Sequence, residues 1–134
     1  MSMFSIFNVS GSAVSAQAQR LNVVASNLAN VDAVAGPDGQ SYKAREVSFQ
    51  TMAVGAEGAA GVRVNAVTES AAPGRRVLEP GNPAADADGY VTHSNVNPVE
   101  EMVNMMSASR AYQNNIEVMN TAKTLLLKTL QMGQ

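Results

Sequence analysis

A seven-residue repeat of apolar side chains at both ends constrains this 134-residue chain more than any other feature. At the front, Phe7, Val14, Leu21 and Leu28 recur every seven residues, with Val24 and Val31 three positions after the last two. At the back, Met102, Met105, Ser109, Tyr112, Ile116, Met119, Lys123, Leu126 and Leu130 alternate steps of three and four. That alternation averages about 3.5 residues, the period that keeps one helical seam against a partner. The fold expected is mainly α with a small β or irregular insert, its long N- and C-terminal helices packed as an antiparallel coiled-coil pair. Such a scaffold suits assembly better than chemistry.

Three zones follow. Residues 1–31 read as one helix whose only charge is Arg20. About 29 helical residues would span roughly 43 Å. So apolar and long a helix calls for cover, and a chain of this length has few elements to supply it, which favours burial by neighbouring copies. Residues 32–96 hold every Pro except Pro98 and most of the Gly. Gly36-Pro37-Asp38-Gly39 is a turn signal, residues 42–49 and 62–67 have short β patterns, residues 54–61 read as a loop, and residues 90–92 suit a last strand. This zone is expected to be an extended insert of hairpins and loops. Residues 97–134 begin with Asn97 as N-cap, Pro98 at the first helical position and Glu100 in capping-box register. No Gly or Pro then interrupts until Gly133.

Composition excludes several classes. A net charge of −2 offers nothing to nucleic acid or an anionic bilayer. With three Tyr, three Phe and no Trp, base-stacking platforms are not expected. The absence of Cys removes disulfides and thiol nucleophiles, and suits a chain that crosses compartments unfolded. No stretch approaches the roughly 20 apolar residues that span a bilayer, so direct membrane insertion is not expected. The N-terminus lacks the basic region and continuous apolar core of a cleavable signal peptide.

No convergent catalytic set is visible, so neither an enzyme nor a cofactor or metal site is expected. His93, the only histidine, reads as a surface or loop residue. Asp86-Ala-Asp88-Gly89 resembles the start of a calcium loop, but position twelve is Asn97 where a bidentate Glu belongs, so a tight turn is expected. The amides on the helices, among them Asn22, Asn27, Asn30, Asn104, Asn114, Asn115 and Asn120, fit either solvent-facing polarity or hydrogen bonding between packed helices.

The segment LNVVASNLAN over residues 21–30, with Ser26, Asn27, Leu28, Ala29 and Asn30 at its centre, resembles the N-terminal signature of the bacterial flagellar rod and hook proteins. DADGYV at 86–91, NVNPVEEMVNMM at 95–106 and SASRAYQNN at 107–115 narrow the resemblance to the proximal rod branch of that family. Residues 31–42 lack the Thr-Pro-Gly-Tyr of many distal rod and hook relatives. The resemblance implies a non-enzymatic subunit of the basal-body rod, the torque-transmitting drive shaft that crosses the periplasm. It implies export by the flagellar type III apparatus without a cleaved signal. It further implies packing against other rod subunits and basal-body adaptor proteins. A soluble coiled-coil adaptor or export chaperone is the alternative from another class.

Overall fold

The computed structural model describes residues 2–56 and 58–134. Its elements in chain order are α1 (Met3–Ala29), β1 (Arg45–Val54), β2 (Ala59–Glu69), β3 (Arg76–Leu78), β4 (Tyr90–Thr92) and α2 (Pro98–Met132). The chain divides into two compact units. The first gathers Met1–Leu21, Ser48–Ala66 and Met106–Gln134; the second gathers Asn22–Val47 and Val67–Met105.

In the first unit, Ser2 starts α1 by accepting the Ser5 N–H on its Oγ at 3.3 Å and on its carbonyl at 3.1 Å. A two-stranded β1–β2 hairpin lies against this part of the helix. Isolated hairpins are marginal in water, so this one depends on its backing. The backing is close. Ser12 Oγ accepts the Val62 N–H at 3.1 Å while donating to the Val9 carbonyl at 2.6 Å. A Cβ on Gly61 would come within 2.7 Å of Ser12 Oγ and 2.8 Å of Val54 Cγ2, so the strand approaches the helix only as glycine. The start of α1 also faces the second half of α2. Met3 and Ile6 form one wall of an apolar hollow of about 450 Å³, and Val118, Thr121, Ala122 and Leu125 form the other.

In the second unit, β3 pairs antiparallel with β4 in the register Arg76↔Thr92, Val77↔Val91 and Leu78↔Tyr90. Residues 33–35 extend this sheet on the far side of β4: Val34 bridges His93, and the Ala35 N–H donates to the Thr92 carbonyl at 2.8 Å. Val91, fully buried, lies at the centre. A turn at 86–89 links the strands. Asp86 Oδ1 accepts the Asp88 and Tyr90 N–H groups at 3.0 and 2.9 Å, and Gly89 supplies the positive φ of 84°. Asp86 is therefore occupied as a turn-former. Among the described residues no group of three His, Asp or Glu side chains is placed to hold a metal.

His93 corrects its sequence reading. It is 9% exposed, because its strand is paired on both edges. Its Nε2 lies 3.4 Å from Glu79 Oε1 but is not aligned for a hydrogen bond.

Candidate assembly faces and the Asn27 node

The family-like SNLAN segment places one side chain at the centre of the second unit. Asn27 is fully buried. Its Nδ2 donates to the Arg45 carbonyl at 2.9 Å and to Glu101 Oε2 at 3.1 Å. Its Oδ1 accepts the Arg45 N–H and the Tyr42 hydroxyl, both at 2.9 Å. A side-chain amide has two donor hydrogens and two acceptor lone pairs, and here all four are used. Asn27 thus ties the end of α1 to the segment entering β1 and to the first turn of α2. Burial is the main influence raising the Tyr42 pKa; Arg45 opposes it, and Glu101 and Glu69 add to it. The phenol stays protonated, as its donation to Asn27 requires.

The rest of the motif ends the helix. Asn30 directs its Nδ2 to the Ser26 carbonyl at 2.8 Å, and its own N–H reaches the Ser26 and Asn27 carbonyls at 3.2 Å. Ser26 and Ala29 are exposed, and Leu28 is half-buried.

The NVNP segment makes a second knot. Asn95 Oδ1 accepts the Ala44 N–H at 2.6 Å, and its Nδ2 donates to the Ala72 carbonyl at 2.9 Å. Ser94 Oγ donates to the Val31 carbonyl at 2.7 Å. Asn97 Oδ1 accepts the N–H groups of Val99 and Glu100 at 3.1 and 3.3 Å, while Glu100 and Glu101 place negative charge on the first turn of α2. Glu101 therefore has two tasks, complementing the helix dipole and accepting from Asn27.

The helix faces sort by burial. On α2, flanked by the half-buried Asn104, Ser109 and Ala111, the side chains turned away from solvent include Glu101, Met105, Ala108, Tyr112, Asn115, Met119, Ala122 and Leu126. Their steps alternate between four and three. Met102, Ile116 and Leu130, weighted by the hydrophobic pattern, are 55%, 36% and 60% exposed. On α1, Val24 is buried, and Phe7, Val14 and Leu21 are half-buried. The inward face of α2 was missed at Ala108 and Ala122 because alanine carries little weight in a hydrophobic pattern. Polar Glu101 and Asn115 were missed for the same reason.

Acid should loosen the β3–β4 hairpin. Asp86 titrates below the ordinary carboxylate range because the Tyr90 N–H, the Arg76 guanidinium and the Asp88 N–H all bond its charged form, against the opposing effect of burial. Glu79 is depressed chiefly by donation from the Asn82 amide, with His93 and Arg75 adding to it. A folded-state pKa below the unfolded one gives stability that is complete above the unfolded value. It is lost as pH falls through the depressed value. Backbone amide signals of Tyr90 and Val91 followed from neutral pH downward should lose dispersion in that acid window. Asp86→Asn should remove part of the dependence; an unchanged acid profile in that variant would show that Asp86 does not carry it.

Comparison with known proteins accounts for these motifs. Residues 7–37 match the family described as flagella basal body rod protein, and residues 87–132 match the flagellar basal body rod FlgEFG protein C-terminal family. The chain is 58% identical to the flagellar basal-body rod protein FlgC of Salmonella typhimurium, over the whole of both chains. It is 57% identical to that of Yersinia enterocolitica and 43% identical to that of Buchnera aphidicola subsp. Acyrthosiphon pisum, again end to end. With such identity along its full length, the chain belongs to the FlgC family of flagellar basal-body rod proteins.

Proposed function

We propose that this chain is a structural subunit of the flagellar basal-body rod, built into the shaft beside other rod components. The family membership supports this role and does not favour the adaptor or chaperone alternative. The observation that carries it in the molecule is the apolar surface left on α2. Val99, Met102, Val103, Met106, Leu125, Leu127 and Leu130 are each at least half exposed. So much uncovered apolar surface on one helix marks an interaction face. No helix among the described residues is long and apolar enough to cross a membrane.

In this reading residues 1–31 and 97–134 form the rod-core part and residues 32–96 the insert. The helices pair as an antiparallel coiled coil through Phe7, Val14, Leu21, Val24 and Leu28 on one side. Met105, Tyr112, Met119 and Leu126 face them from α2. Met102, Ile116 and Leu130 pack against other subunits. The chain reaches its place through the flagellar type III export apparatus and transmits torque through contacts that are mostly uncharged.

Deleting residues 126–134 tests the role. The shortened chain should stay soluble and folded by circular dichroism, yet fail to enter rods and leave cells non-motile. Cells that swim with the truncated chain would overturn the reading.

A further inference from the structure

The core of the first unit is made of small side chains alone. Among the described residues those buried in it are Ser10 and Ala16 on α1, Ala59 and Gly61 on β2, and Ala108 and Ala122 on α2. None of its bulky apolar side chains is fully buried, and Phe4, Phe49, Met106, Leu125 and Leu130 are exposed. Gln17 Oε1 is buried there with no hydrogen-bond partner. A buried methyl removes far less apolar surface from water than a buried valine or leucine, while every residue fixed costs backbone entropy. About half the chain is held in this unit, so its own packing does not offset its ordering. The second unit differs: Val24, Val91 and Val96 are buried in it, beside the Asn27 node.

The boundary between the units falls inside the β1–β2 hairpin. The base of the hairpin is tied within the second unit, by the Ser70 N–H donating to the Ala44 carbonyl at 2.8 Å and the Ala44 N–H donating to Asn95 Oδ1 at 2.6 Å. The outer half, residues 48–66, is tied to α1 through the Ser12–Val62 bond and the close seat of Gly61. We propose that this outer half, although internal in sequence, orders together with the helical ends and only on incorporation into the rod. The proposal rests on the rod role given above. Neighbouring subunits cover the exposed apolar side chains of α1 and α2, which contributes the burial that the alanine core lacks. The fixed helix then offers Ser12 and the Gly61 seat to the hairpin, which without backing is a lone two-stranded ribbon. In the free chain residues 48–66 are open, while the sheet built on β3 and β4 holds.

Amide exchange on the full free chain, followed by nuclear magnetic resonance, tests this. Amides across residues 50–53 and 62–65 should exchange within about tenfold of the unfolded rate. Those of Ala35 and His93, which donate inside the second unit, should be slower by about a hundredfold or more. Equal exchange in the two sets, whether fast or slow, would overturn the proposal. Gly61→Val gives a second readout, since a side chain there meets Ser12 and Val54 only when the hairpin is seated. Its urea midpoint as a free chain should match the parent, yet cells that depend on it should lose most of their swimming. A lower midpoint would mean that the hairpin is seated before assembly, and parental swimming would mean that the seat does not form in the rod. Either result overturns the proposal. The rod role itself is read from the 126–134 deletion, so its failure is told apart from a failure here.

Discussion

Asn27→Ala is expected to lower the unfolding free energy of this chain by roughly 3–5 kcal/mol, among the largest single-residue effects in it. The substitution strands more than it removes. The Arg45 N–H and carbonyl, the Tyr42 hydroxyl and one Glu101 oxygen all lose their partner at a fully buried position. Tyr42 and Glu101 are half-buried and only Arg45 is exposed, so water restores only part of what is lost. Asn27→Asp should be about as damaging. It keeps the acceptor oxygen but turns the donating end into a carboxylate facing Glu101 and the Arg45 carbonyl. Asn30→Ala is the matched control, because that amide bonds only a carbonyl of its own helix, and should cost about 1 kcal/mol or less. Urea titrations by circular dichroism give all three values. A midpoint for Asn27→Ala within error of the parent would mean that the node does not hold the second unit.

Gly74→Ala should cost about 3 kcal/mol through the opposite fault, too much matter in place of too little. A Cβ there would stand 2.4 Å from the His93 carbonyl oxygen and 2.8 Å from both Ser41 Oγ and Thr92 Cγ2. The nearest obstacle is backbone, and that backbone is held on both edges, by Arg75 on one side and residues 33–35 on the other. It cannot yield without breaking a ladder. Gly81→Ala is the control: nothing lies within 4 Å of the added carbon, and the change should stay within about 0.5 kcal/mol. Thermal unfolding of the two variants side by side decides it; equal melting temperatures would show that the strand slides to make room.

The helical ends of this fold are legible in sequence because their signals are local. The Asn97-Pro98-Glu100 start and the unbroken run behind it need no tertiary information. Neither do Gly36–Gly39 or the turn at Asp86. The role of Asn27 was not legible. Its amide looks the same as those of Asn22 and Asn114, which the fold leaves exposed. Only the approach of Tyr42, Arg45 and Glu101 distinguishes it. The three-residue β3 escaped for a related reason: Arg76 and Leu78 are exposed, and the strand exists only because β4 supplies its partner. Hydrophobic weighting drew attention to Met102, Ile116 and Leu130. The inward stripe of the single chain runs instead through Ala108, Asn115 and Ala122, where small size matters more than apolar bulk.

The bond from Asn27 to Glu101 joins residues 74 positions apart. Every chain is made from its first residue onward, so the three bonds of Asn27 to Tyr42 and Arg45 can form early, while the fourth waits until three-quarters of the sequence exists. Until Glu101 arrives, the amide has no carboxylate to meet and the first turn of α2 has not formed. A contact this distant carries a higher loop-closure cost than those to Tyr42 and Arg45 and is made after them. The nascent chain can therefore hold only the part of the node between α1 and the entry to β1 until Glu101 joins it. Its timing of folding is written into which residue completes the knot, and that residue lies three-quarters of the way along the chain.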